Sequence, residues 1–175
     1  MPLTPAELTV LGLVVERPRH GYDLEQVIAR RGVRRWADIG FSSIYYLLGR
    51  LEKRGLVHVP EAPAAATSRR VFHATDAGRR AAREGALALL REAAPVAHPL
   101  LVGVANLDLL TPAEYAGALG ERLAVVEEQI AAVRAAEAAQ GPLPRAAREV
   151  FSYSLSLMEA ERAWLAERAR VRDDR

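Results

Sequence analysis

The chain has 175 residues, half of them hydrophobic, which suffices for a core in one domain or two small ones. Its 24 Arg and Lys against 22 Asp and Glu leave a formal charge of +2. It has no cysteine, which excludes disulfides, a thiolate nucleophile and a Cys-ligated zinc site. The first residues lack the basic start and apolar run of a signal peptide. The most apolar stretch, 95–110, is interrupted by His98, Pro99, Asn106 and Asp108, so no membrane span and a cytoplasmic protein are expected.

In chain order, Thr4-Pro5-Ala6-Glu7 reads as a capping box with proline at the first helical position. A helix should follow through Leu8, Leu11, Val14 and Val15, until Pro18 and Gly21 break it. A second helix is expected from about Tyr22 to Arg31, with Leu24, Val27 and Ile28 inward. Residues 32–40 form a loop carrying Trp36. A third helix then runs from about Ser42 to its stop at Gly55.

That third helix is the most informative segment. Ile44, Leu47, Leu48 and Leu51 recur at helical spacing and should face a core. Ser43, Tyr46, Arg50 and Lys53 fall on another face, with Ser42 and Tyr45 beside them. Hydroxyls and cations there, with no carboxylate before Glu52, suit entry into the major groove of DNA. The competing reading is an ordinary amphipathic helix, which context must decide.

The context is a change of period. Val57 and Val59 alternate with His58, and Val71-Phe72-His73 forms a second short strand. Between them lies an Ala- and Pro-rich tip, with Arg69 and Arg70 where the chain re-enters the hairpin. The two arginines are candidate phosphate contacts, against the plainer account of a solvated basic pair. Thr75-Asp76 caps another helix reaching at least Leu90. Helix, helix, recognition helix, hairpin, helix is the order of a winged helix-turn-helix domain of about 80 to 90 residues.

Charge follows the same division. Residues 1–80 hold 13 basic and 8 acidic residues, net +5, whereas 81–175 hold 11 and 14, net −3. A basic half carrying the helix-turn-helix pattern is the footprint expected of a DNA-binding domain joined to a domain of another kind. Lys53 is the only lysine, so the positive charge is almost all guanidinium.

In the second half, Thr111-Pro112-Ala113-Glu114 repeats the capping box. Its helix carries Leu119, Val126 and Val133 seven apart, and Leu123 and Ile130 likewise, as in a coiled-coil seam. Residues 141–144 stop it, and a last helix runs from about Arg145 to Arg170 with Val150, Phe151, Leu157, Met158, Trp164 and Leu165 on its apolar side. An antiparallel hairpin of this kind exceeds its own core, which predicts a homodimer through Leu119, Leu123, Val126, Ile130, Val133, Leu157, Trp164 and Leu165. The alternative is a monomer with the hairpin folded onto the first domain.

No catalytic constellation is present, and an enzyme is not expected. The four histidines, 20, 58, 73 and 98, are widely separated and have no metal-ligand spacing. No phosphate loop or nucleophile elbow occurs, so neither cofactor nor metal is expected. Trp36, Phe151 and Trp164 are candidate walls for a small-molecule pocket, with Glu161 an unusual carboxylate beside the last apolar stripe. Ordinary core packing competes with that reading.

The ordered set His20-Gly21-Tyr22-Asp23-Leu24, Ser43-Ile44-Tyr45, Leu48 to Leu56 and Arg69 to Arg79 resembles the PadR-type transcriptional regulators. Leu107 to Pro112 and Ala160 to Leu165 resemble the helical tail of the longer members. The chain departs from the pattern in four places, one being Val71 beside Phe72 where an aromatic pair is usual. Tyr46 stands where proline is frequent, Gly49 where a basic residue is frequent, and Ala66-Thr67-Ser68 replaces a Gly-Arg-Pro wing tip. The resemblance implies a dimeric repressor responding to a small aromatic or amphipathic molecule, and it adds His20 and Tyr22 to the candidate DNA contacts.

The sequence therefore predicts a mainly α protein. A winged helix-turn-helix DNA-binding domain with a two-stranded wing spans 1–92, and an antiparallel helical dimerisation domain spans 93–175. Its partners would be double-stranded operator DNA, a second copy and a small effector, with no membrane. The alternative is a protein–protein interaction module that keeps the winged helix fold without specific DNA binding; Arg50 and Lys53 on the third helix favour the first.

Overall fold

The computed structural model describes residues 2–37, 39–40, 43–60, 70–93 and 95–170. The chain divides into two compact units, Met1–Pro95 and Val96–Arg175. It is mainly helical, with one small antiparallel sheet in the first unit. No helix among the described residues is long and apolar enough to cross a membrane.

The first unit opens with α1 (Pro5–Glu16), started by the capping box: the Glu7 N–H donates to the Thr4 hydroxyl at 3.2 Å and the Thr4 N–H donates to the Glu7 carboxylate at 2.9 Å. Next come β1 (Arg19–His20), α2 (Gly21–Arg30) and a single 3-10 turn at Val33–Arg35. Helix α3 (Ser43–Lys53) follows, then β2 (Val57–His58), β3 (Val71–Ala74) and α4 (Asp76–Arg91). The wing strands pair in antiparallel register, Val57 opposite Ala74 and His58 opposite His73. A third strand absent from the sequence reading joins them: β1 pairs with the other edge of β3, Arg19 opposite Phe72. Two residues between Pro18 and a helix show no periodicity, so only the partner strand reveals them.

The inward face of α3 is as its spacing predicts, with Ile44, Leu47, Leu48 and Leu51 all buried. They meet Leu11 and Val14 of α1, Leu24 and Ile28 of α2, and Phe72 of β3 in one core. Gly55, at φ +67°, ends the helix: its N–H donates to the Glu52 carbonyl and that of Leu56 to the Leu51 carbonyl, both at 2.9 Å. This turn sends the chain straight into β2. Helix α4 then crosses so closely that a Cβ on Gly78 would collide with the Leu56 carbonyl oxygen. Thr75 caps α4, accepting the Gly78 N–H at 3.0 Å while its hydroxyl donates to the Gly55 carbonyl at 2.7 Å.

Glu16 ties three elements of this unit together. Arg31, beyond α2, grips its carboxylate at 2.8 and 2.9 Å, and the buried Arg19 of β1 adds a contact at 3.2 Å. Burial raises the Glu16 pKa, but the hydrogen bonds and charges of the two arginines outweigh it and hold the carboxyl below its usual range. Burial correspondingly lowers the pKa of Arg19.

The second unit contains α5 (Pro99–Ala105), a 3-10 turn at Leu107–Leu109, and the long helices α6 (Pro112–Ala138) and α7 (Arg145–Arg168). The second capping box is formed, and its hydrogen bonds from the Thr111 backbone and hydroxyl hold the Glu114 carboxyl below its usual range. Leu119, Val126 and Ile130 of α6 close on Leu165 of α7, with Leu123, Leu155, Met158 and Trp164 around them. Ion pairs cross the hairpin at Arg122–Glu161, 2.6 Å, and Arg134–Glu159, 2.7 Å. The Arg122 pairing accounts for the carboxylate at 161.

The residues expected at a dimer contact divide within the single chain. Leu119, Val126, Ile130, Val133 and Leu165 are buried inside the single chain, and Leu123 and Trp164 are half-buried against the same cluster. Side chains with no surface left have nothing to offer a partner. Of that set only Leu157 is exposed. A heptad-like spacing identifies a buried face, and here α7 of the same chain covers it.

Candidate nucleic-acid interface

Helix α3 lies on α1 and α2 with its inward face spent on the core, so its opposite face is turned to solvent. Tyr45 and Tyr46 project from it with roughly two-thirds of their surface exposed, 62% and 65%. Gly49 lies one turn further on, and the exposed Lys53 one turn beyond that. The single acidic residue of α3, Glu52, is turned aside: Arg70 of the wing holds its carboxylate at 2.7 and 2.8 Å. The outward face thus carries two phenols, a bare backbone and a cation.

The placement of Arg50 departs from expectation. Its Nη2 lies 3.2 Å from Oε1 of Glu7, a fully buried carboxylate of α1. Its guanidinium is also 5.8 Å from the centre of the Tyr46 ring. Arg54, one turn on, reaches the other Glu7 oxygen at 3.3 Å. Arg50 and Arg54 therefore occupy the α1-facing edge of the helix rather than its outward centre. The cause is the buried charge: a carboxylate removed from water draws whatever cation is in reach. Glu7 follows the same helical line as Val10, Leu11 and Val14, so spacing directs it inward while its carboxylate also closes the capping box.

The remaining candidates are distributed as follows. Ser43 is half-buried and its hydroxyl donates to the Gly40 carbonyl at 2.6 Å, so it serves the helix start. Ser42 and Arg69 lie outside the described residues, as does the wing tip. Arg70 is exposed and stacks over Phe72 at 5.1 Å while paired with Glu52. His20 Nδ1 is 3.3 Å from the Arg70 carbonyl oxygen, which binds the start of α2 to β3. Tyr22 is exposed on the first turn of α2.

These residues surround one hollow. Tyr22, Tyr45 and Gly49 line it together with Arg70 and Phe72 of the wing side, around an open volume of about 660 Å³. The Tyr45 ring comes so close to Gly21 that any side chain there would push it away. Tyr22, Tyr45 and Arg70, remote in sequence, are thus brought to one surface.

The candidate ligand residues are divided between the two units. Trp36 belongs to the first unit, half exposed after the 3-10 turn, and Phe151 and Trp164 belong to the second. Trp164 packs at the edge of the hairpin core, and Arg168 lies 4.5 Å over its ring. His58 and His73 face each other across the wing strands with ring centres 5.6 Å apart, a cross-strand pair. Among the described residues no group of three or more metal-ligating side chains comes together.

Residues 10–84 match the model of the transcriptional regulator PadR-like family. The whole fold is similar to that of Bacillus subtilis PadR in complex with operator DNA, at 17% identity and a TM-score of 0.74, over 93% of this chain and 96% of that one. It is similar to the same regulator in complex with p-coumaric acid, at 16% identity and 0.77, over 95% and 97%. The virulence activator AphA of Vibrio cholerae matches at 20% identity and 0.69, over 94% and 95%. The comparison with curated proteins found no match. Within the first unit, residues 10–84 thus match the PadR-like family of transcriptional regulators, and the fold is similar to that of solved PadR structures.

Proposed function

We propose that the chain is a cytoplasmic, sequence-specific DNA-binding regulator, acting as a dimeric repressor that a small aromatic or amphipathic molecule releases. The observation that carries this reading is the outward face of α3, where Tyr45, Tyr46 and Lys53 project and Glu52 is held aside by Arg70. A helix so presented can lie in a major groove, with Arg70 and Tyr22 at the flanking phosphates. The Arg70–Glu52 pair is exposed and therefore weak, so a phosphate can replace the carboxylate at little cost. An operator-bound structure of the same fold supports the assignment.

Dimerisation is supported by what α7 leaves uncovered. Val150, Tyr153 and Leu157 are exposed, and spacings of three and four place them on one side of the helix. Leu101 and Val102 of α5 add further exposed apolar surface in the same unit. A second copy would cover this surface and present two recognition helices to a two-fold operator. For the effector, a similar fold in complex with p-coumaric acid supports a small aromatic ligand, and Phe151 and Trp164 are the aromatic candidates in the second unit.

The test is selection of duplexes from a random-sequence pool by the full-length chain, followed by a salt titration of the enriched duplex. A steep, linear loss of log affinity with log salt, together with tighter binding than to random duplex, is expected. p-Coumaric acid should then quench Trp fluorescence and weaken binding over one concentration range, and a reporter carrying the enriched site should be repressed. Failure to enrich any sequence would instead support the protein-interaction reading.

A further inference from the structure

Gly49 sits in the middle of α3, four residues after Tyr45 and four before Lys53. Glycine is the poorest helix former after proline, so its presence mid-helix calls for a reason. The fold supplies none: a Cβ built on Gly49 meets nothing within 4 Å, as at the helical Gly12, Gly103, Gly117 and Gly120, and what sets Gly49 apart is its place on the outward face of α3 and in the lining of a hollow. Gly78 is the contrast, for there the Leu56 backbone leaves no room for a side chain. The space above Gly49 is the hollow of about 660 Å³ between Tyr22, Tyr45, Arg70 and Phe72, on the face proposed to meet DNA.

We infer that Gly49 is the point of closest approach between α3 and its DNA, and so a specificity-determining position. This rests on the DNA-binding reading above. Without a Cβ, the helix backbone can come against a base edge, while the flanking Tyr45 and Tyr46 rings meet the neighbouring bases or sugars. Any side chain at 49 would hold the helix away by about the width of a methyl group. The contacts of Tyr45 and Tyr46 to the groove would lengthen together, and hydrogen bonds weaken steeply with such displacement. Phosphate contacts by long side chains tolerate the same shift, because Arg and Lys can extend to follow it. The substitution should therefore separate specific from non-specific binding.

The experiment compares the wild-type chain with Gly49→Ala. Duplexes are enriched from a random-sequence pool by the wild type, and the enriched duplex and a random duplex are the probes for both proteins. Gly49→Ala should raise Tm, since alanine favours the helix and meets open space. It should weaken binding to the enriched duplex at least tenfold and leave the random duplex within about twofold, as expected for a loss of base readout alone. Equal affinity for the enriched duplex would overturn the inference while leaving the DNA-binding reading intact. A fall in Tm would overturn it too, because the fold itself would then require the glycine. A wild type that enriches no sequence would remove the DNA-binding reading and the inference with it.

Discussion

Nη2 of Arg50 lies 3.2 Å from Oε1 of Glu7, and the two residues join the recognition helix to the first helix of the fold. Glu7 is the more constrained partner, with no exposed surface, one oxygen capping α1 through the Thr4 N–H, and a second guanidinium, Arg54, at 3.3 Å. Oε1 accepts no aligned hydrogen bond, so the Arg50 contact there is a charge interaction. Two guanidinium groups thus share one carboxylate at this edge of α3.

Glu7→Gln tests that arrangement, since glutamine also serves at this position of a capping box and only the charge is removed. The variant should lose about 1–3 kcal/mol of stability, the cost of a charged buried interaction. Arg50 loses its counter-charge and becomes available to phosphate. DNA affinity should rise and the slope of log affinity against log salt should steepen by roughly one contact. Urea denaturation and a salt titration measure the two effects; an unchanged slope would show that Arg50 stays with α1.

Arg50 and Lys53 should now behave differently. Arg50→Ala leaves Glu7 with one cation fewer, so its main effect should be a stability loss of about 1–2 kcal/mol. Lys53→Ala touches no internal partner among the described contacts and should leave Tm nearly unchanged. It should flatten the salt slope by roughly one and weaken binding about equally on enriched and random duplexes. A sequence-selective loss at Lys53 would instead make it a base contact.

Glu16 sets a pH dependence. Its carboxyl is held below its usual range, so the folded state prefers the ionised form. A depressed carboxyl contributes stability above its unfolded pKa, about 4.3, and that contribution is lost as pH falls through the lower folded value. Glu16→Gln should therefore be less stable than wild type at neutral pH, and the gap should close on acidification below about 4. A gap independent of pH in denaturant titrations would assign the effect to packing.

The second unit separates its own core from the proposed dimer surface. Leu165 is fully buried, so Leu165→Ala should cost about 2–5 kcal/mol of stability. Leu157 is exposed with Val150 and Tyr153, so Leu157→Glu should leave the helix content intact and shift sedimentation equilibrium from dimer toward monomer. A Leu157→Glu variant that remains dimeric at micromolar concentration would place the interface on another face.

Spacing and capping chemistry alone determined where the main helices lie and which side of each is buried. Thr4 with Glu7 and Thr111 with Glu114 start helices wherever they occur, and Ile44, Leu47, Leu48 and Leu51 share a face at any site in a fold, because both are properties of neighbours within one or two turns. The winged helix order follows from such local signals and the switch to period two. What covers each buried face is a longer-range matter. Leu119, Val126 and Ile130 call for an apolar partner, and only the path of α7 makes that partner Leu165 of the same chain. The two residues of β1 become a strand only because β3 offers them an edge. Arg50 has the chemistry of a DNA contact, yet the buried Glu7 pulls it toward α1, while Glu52, an apparent flaw in the reading face, is removed from it by Arg70. Charges interact through space over several ångströms, so their partners are chosen by packing, which periodicity along the chain does not encode.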